Sequence, residues 1–357
     1  MNRVGTVLRR IGKILLGVLL VLAVLVGAFL VWLRRDPQPV TECESGFRLF
    51  EHAQGATCVP EAPSRILAYS TTISQLMVAT ERPMAMLVDD LDTFTAADIP
   101  GLYERLRQVN EGGLDLGRVN GGAIGPNLEL LLQIEPDLIV SEWVVSDDVA
   151  KAAGVIAPVV FLTDLESWKE VTVRSGDIIG EQQRAEDLIE AYEGRVELLR
   201  QQFDDPAEIT ISNVRLFEDR AGVQLPASFA GQVISEVGFS FPEPQLALVE
   251  DTPERFQIDF SEERLDLIDA DFLFIFVGST EFVMTNLGVD GPSLIDEFQS
   301  DPLFQFLSAA ESGKVHEVDM HWTVPGIYSA HFLLDDLFRY VAGVDPEEVS
   351  PNPLLLK

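Results

Sequence analysis

The sequence predicts an α/β protein: two Rossmann-like lobes joined by one long helix, a ligand cleft between the lobes, and an N-terminal transmembrane helix in front. Three observations predict it. Short apolar strands alternate with short helical stretches over 64–166, and again over 206–357, the pattern of parallel sheets covered on both faces. Between these runs, residues 167–205 carry one helical stripe of Ile178, Ala185, Leu188, Ile189, Tyr192, Val196, Leu199 and Phe203, with the spacing of a single amphipathic helix. Near the start, Ile14 to Leu33 form an uncharged run of 20 residues.

That run sets the first division, a membrane anchor over 1–35. At about 1.5 Å per residue a helix of this length spans a hydrocarbon core of about 30 Å. Basic residues precede it, and Arg34 and Arg35 follow as interfacial stops, which places the N-terminus in the cytoplasm and the body outside. No small-residue cleavage site follows the run, and the first cysteine after it is Cys43, so a retained signal anchor is expected.

Residues 36–63 form an extension with a hairpin. FRLFEHAQGATCV reads as two strands about a turn near Gln54-Gly55. Cys43 and Cys58 are the only cysteines, and an even count in an exported segment favours a disulfide. A turn at residue 54 sets Cys58 near Phe50, so the chain must double back at Glu44-Ser45-Gly46 to join the sulfurs.

In the first lobe, the strands RILAYS (65–70), AMLVD (85–89), DLIVSEW (137–143) and APVVFL (157–162) alternate with helices at 72–80, 127–133 and 147–153. The second lobe reads as the strand ITISNVRLF (209–217), the helix AGQVISEVG (230–238) and the strand DFLFIFVG (271–278). A helix at 293–307, the strand KVHEVD (314–319) and a terminal helix from Tyr328 to Val341 complete it. A lone helix between two lobes is stiff, and the cleft they enclose is the natural ligand site.

Composition narrows the function. There are 58 acidic and 25 basic side chains, a net charge of −33. Six of those bases lie in the first 35 residues, which hold no acid, so the remainder carries 58 acids against 19 bases, a net of −39. Such a body repels phosphate backbones, and nucleic acid is excluded as a partner. No phosphate-binding loop, nucleophile elbow or zinc-protease motif is present, and Asp115 to Gly122 is glycine-rich without sitting between a strand and a helix. With His52, His316, His321 and His331 the only histidines, no protein-held metal is expected. The chain reads as a binder, not an enzyme.

Five segments then carry a resemblance: 52–70 (HAQGATCVPEAPSRILAYS), 125–143 (GPNLELLLQIEPDLIVSEW), 225–244 (LPASFAGQVISEVGFSFPEP), 260–276 (FSEERLDLIDADFLFIF) and 312–341 (SGKVHEVDMHWTVPGIYSAHFLLDDLFRYV). In this order they resemble the substrate-binding proteins of iron-siderophore ABC importers, a cluster that also includes cobalamin and haem binders. The resemblance implies an extracytoplasmic receptor on the bacterial cell membrane, a monomer, that binds a ferric siderophore and hands it to an ABC permease. Iron arrives already chelated, so no cofactor is implied. Cobalamin or haem binding, or a membrane-anchored sensor without transport, are the alternatives.

The resemblance also assigns roles. Tyr69, Trp143 and Trp322, at or after strand ends where α/β ligands bind, are implied ligand contacts. Arg118 and Arg215 are implied to hold the chelate's oxygens, for which a planar, permanently charged guanidinium is suited. Glu129 in GPNLE is implied to dock on the permease from lobe one. Gln232 occupies the matching site of lobe two, and Glu236, one helical turn on, is the carboxylate expected to replace it.

Overall fold

The computed structural model describes residues 42–82, 84–86, 128–142, 146–163, 167–217, 220–277 and 294–355. The folded body is Cys43–Lys357. The expected anchor at 1–35 lies outside the described residues, among which no helix is long and apolar enough to cross a membrane.

The body opens with a hairpin of β1 (Phe47–His52) and β2 (Gly55–Pro60). Its register sets Cys58 opposite Leu49, one residue from the expected Phe50, because the turn residues are Ala53 and Gln54. Gly46, at φ 89°, reverses the chain, Phe47 N–H bonds the Glu44 carbonyl at 3.1 Å, and Cys43 and Cys58 are joined by a disulfide with their Cα atoms 5.6 Å apart. The hairpin is held to lobe one by Ala53 N–H on the Phe161 carbonyl and to the linker by the guanidinium of Arg174 over the Phe50 ring at 4.4 Å.

Lobe one is a parallel sheet in the order β4-β3-β5-β6, from β3 (Ile66–Tyr69), β4 (Met84–Met86), β5 (Leu138–Ser141) and β6 (Val159–Phe161). Helices α1 (Thr71–Ala79), α2 (Leu128–Ile134) and α3 (Asp147–Gly154) lie between its strands in sequence. Ser70 caps α1 by accepting from Ile73 N–H, the usual N-cap bond. Side chains alternate across β3: Ile66 and Ala68 enter one core, Leu67 and Tyr69 another.

The expected single linking helix over 167–205 is in fact two, α4 (Trp168–Ile179) and α5 (Gln182–Arg200). Gly180 breaks it at φ 78°, with Gly180 N–H on Asp177 and Glu181 N–H on the Gly176 carbonyl, a glycine-terminated helix end. Gly176 packs against Ala185, where an added Cβ would lie 2.5 Å from the alanine's. Helix α4 lies on α1, whereas α5 lies on the second lobe's helices. The linker shares the lobes' interior: one continuous core runs from Ile66 and Ile73 through Tyr192 to Phe229, Phe274 and Phe338.

Lobe two is a mixed sheet in the order β11-β10-β7-β8-β9. Strands β7 (Ile211–Leu216), β10 (Phe272–Val277) and β11 (Val315–Glu317) are parallel, while β8 (Ala221–Gln224) and β9 (Gln257–Phe260) run antiparallel to their neighbours. The simple strand–helix alternation missed β8 and β9, which are four residues each and carry Gly222, Gln224, Gln257 and Asp259 rather than apolar runs. Helices α6 (Phe229–Val237), α7 (Glu243–Val249), α8 (Leu294–Gln299) and α9 (Ile327–Asp336) complete the lobe. The lobes meet where the Pro325 carbonyl, just before α9, accepts from Thr71, Thr72 and Gln75 of α1.

Candidate functional site

Between the lobes lies a cavity of about 410 Å³, lined from lobe one by Thr72, Glu142, Leu162 and Thr163, from the linker by Ser167, Trp168 and Val171, and from lobe two by Arg215, Gln224, Phe229, Gln232, Phe256 and Gln257 among others. Its size falls in the range of small-molecule sites.

Strand pairing builds the lobe-two wall. Arg215 on β7 faces Gly222 on β8, and in the next row Asn213, Gln224 and Gln257 stand side by side across β7, β8 and β9. Gln224 donates to Gln257 at 2.7 Å, and Gln257 to Asp259 at 3.1 Å. At Gly222 a Cβ would lie 2.7 Å from the Gln257 amide nitrogen, so glycine keeps this row of carboxamides flat. Arg215 lies against the rings of Phe217 and Phe276, 4.6 and 5.9 Å from their centroids. No carboxylate of the described residues pairs with it, and its Nε is buried without a hydrogen-bond partner. Burial and the neighbouring Arg220 charge lower its pKa from the usual arginine value. In a chain with 58 acids, a half-buried guanidinium without a counter-charge among the described residues is a feature that a ligand's oxygens would complete.

The aromatic side of the cavity is Trp168, Phe229 and Phe256. Trp168 packs edge-on to Tyr192 and Phe229 at 5.0 and 5.8 Å, and its indole N–H is buried without an acceptor among the described residues. Phe256 is 62% exposed although it borders the cavity. On the lobe-one side Glu142, one residue past β5, receives a hydrogen bond from the Ser70 hydroxyl and others from Thr72. Burial raises its pKa above the usual carboxylate range, and those bonds only partly offset the rise.

Of the sequence-predicted ligand contacts, Arg215 lines the cavity, and Arg118 and Trp143 lie outside the described residues. Two are corrected. Tyr69 is not among the described residues that line this cavity: strand alternation turns it into the core with Leu67, Leu131 and Phe161, where burial pushes its hydroxyl up to about 12. Trp322 is fully buried, stacked on Phe274 at 4.2 Å, with its N–H on Asp336 at 2.9 Å. The short turn Met320–Trp322 folds the indole back onto the sheet and presents Thr323 and Pro325 to the cavity instead.

For docking, Glu129 is exposed in the first turn of α2. Glu236 is corrected: it does not stand free, because it accepts from Tyr192 at 2.8 Å and pairs with Lys169 at 3.0 Å. Helical periodicity points it inward at the linker, and Gln232, one turn earlier, borders the cavity. Sequence reasoning passed over Trp168, Phe229, Phe256, Gln224, Gln257 and Glu142. A signal existed for Trp168, which follows the capping Ser167 at the linker's first turn. For the two glutamines there was none, since β8 and β9 were not recognised as strands.

A family model described as "Periplasmic binding protein" matches residues 106–320, more than half of the chain. The probable siderophore-binding lipoprotein YfiY of Bacillus subtilis (strain 168) is 26% identical over 298 residues, covering 82% of this chain and 87% of that protein. The achromobactin-binding periplasmic protein of Dickeya dadantii (strain 3937) is 28% identical over 277 residues, covering 74% and 84%. Among solved structures, Staphylococcus aureus SirA complexed with staphyloferrin B superposes with a TM-score of 0.67 at 21% identity, covering 82% of this chain and 98% of that one. Two α/β lobes closing on a cavity, a family match across both lobes, and this fold in a solved binding protein agree: the chain belongs to the periplasmic binding protein family.

Proposed function

We propose that this protein is an extracytoplasmic receptor, tethered by its N-terminal segment, that binds a ferric siderophore between its lobes and delivers it to an ABC import permease. The observation that carries the reading is Arg215, a guanidinium facing the cavity with no carboxylate partner among the described residues. Oxygen-rich anionic chelates supply what it lacks, and Trp168, Phe229 and Phe256 offer apolar surface to the rest of such a ligand. The names of relatives agree in kind, including a siderophore-binding lipoprotein and a Fe(3+)-citrate-binding protein. Binding and release complete the cycle, and no bond of the ligand is broken.

The test is a titration of intrinsic tryptophan fluorescence with ferric citrate, a ferric hydroxamate, a ferric catecholate, haem and cobalamin, to whose quenching Trp168 in the cavity wall is expected to contribute. One ferric chelate is expected to saturate the signal; saturation by haem or cobalamin alone would overturn the reading. Arg215→Gln is expected to weaken that chelate by about thirtyfold, or about 2 kcal/mol, with an unchanged melting temperature. Glu129→Ala is expected to leave affinity within a few-fold and to lower iron uptake by cells, because rim charges chiefly steer docking. Loss of binding in Glu129→Ala would place that carboxylate in the ligand site instead.

A further inference from the structure

We infer that Glu142 is a specificity-determining acid of the cleft, which takes up a proton together with an anionic chelate. The inference rests on the proposal that the cleft takes such a chelate. Glu142 is half-buried in the cavity wall and held by hydrogen bonds from Ser70 and Thr72 at the start of α1. Ser70 and Thr72 at the start of α1, Thr163 after β6, and Ser167 and Trp168 of the linker bring no ionisable group to it. Across the cavity, lobe two presents Arg215 from β7 and the exposed Glu254 ahead of β9. The described lining therefore holds two carboxylates and one guanidinium.

An anionic chelate drawn to Arg215 adds negative charge beside Glu142 and displaces the water that would solvate its ionised form. Both effects favour the neutral carboxyl. The balance is simple: one proton from solvent goes to a Glu142 carboxylate oxygen, giving a carboxylic acid able to donate to the chelate. Glu142 starts above the usual carboxylate range because of burial, so the linkage acts above that range. Where the empty cleft binds fewer protons than the loaded one, affinity falls as pH rises, by at most about tenfold per pH unit for one proton. A chelate without net negative charge would not gain from this device, and Glu142 thereby discriminates by charge.

The experiment is isothermal calorimetry of the full chain and Glu142→Gln with the chelate that binds tightest in the panel above. It is run from pH 5 to 9 in buffers of different ionisation enthalpy, because the apparent enthalpy then reports protons exchanged. The wild type is expected to take up close to one proton more than Glu142→Gln somewhere in that range. Its affinity should fall with pH relative to the variant, and comparing the two with the same chelate cancels the chelate's own titration. Equal proton counts at every pH would overturn the inference while leaving the receptor reading intact. So would a Glu142→Gln variant that only melts lower, which would make Glu142 a cap of α1 and nothing more. Absence of binding by any ferric chelate to the wild type would overturn both.

Discussion

Replacing Arg195 by Met should lower the free energy of unfolding by about 3–5 kcal/mol, the range for breaking one side of a buried ion pair. Arg195 lies on α5 and is only 4% exposed. It donates from Nε to the Ser350 carbonyl at 3.0 Å, from Nη1 to the His331 carbonyl and ring Nδ1 at 3.0 Å, and from Nη2 to Asp335. Because a guanidinium only donates, His331 Nδ1 must accept, and its ring proton sits on Nε2. Burial and the Arg195 charge lower the His331 pKa to about 3, so Asp335 is the anion that balances Arg195. Remove the arginine and Asp335, 6% exposed, keeps a single neutral donor, Asn352 at 2.9 Å. Urea unfolding should show a lower midpoint at an unchanged slope. The double variant Arg195→Met/Asp335→Leu should recover most of the loss, since a buried pair replaced by apolar groups is often neutral. A single variant as stable as wild type would show that this network does not bind the linker to the C-terminal helix.

This network also marks how far the sequence could be read. The α/β class and most strands follow from runs such as DLIVSEW and DFLFIFVG, whose apolar character is set by burial on both faces of a parallel sheet. The linker's apolar stripe was legible, but the same stripe continues on both sides of Gly180 and hid the break. Site residues were harder, because facing the cleft or the core depends on a one-residue alternation that strand-end position alone does not fix. Tyr69 and Ser70 are adjacent, yet one enters the core and the other caps α1 and bonds Glu142. Arg215 was legible because a cation on an otherwise apolar strand needs a reason. Gln224 and Gln257 were not, since the pairing that aligns them joins residues 33 apart in the chain.

The junction between lobes should be as intolerant as the Arg195 network. Gly326 sits at φ 149° and ψ 171°, a region that is nearly exclusive to glycine and costs other residues about 1–3 kcal/mol. A Cβ there would lie 2.4 Å from Cδ and Oε1 of Gln75. That side chain has nowhere to go: it is fully buried, its Nε2 donates to the Pro325 carbonyl and to Ser329, and its Oε1 accepts from Ser329 N–H. Displacing it strands buried polar groups at about 1–3 kcal/mol each, so Gly326→Ala should cost about 3–5 kcal/mol by urea unfolding. Because Thr72 of α1 and Pro325 of the same junction line the cavity, the variant should also bind the proposed chelate more weakly at temperatures where it remains folded. Adding Gln75→Ala opens space for the new methyl group but leaves the backbone strain. The double variant should therefore recover the steric part alone and stay less stable than Gln75→Ala by about 1–3 kcal/mol. If Gly326→Ala melts with the wild type, α1 and α9 are not in the close contact that fixes one lobe against the other.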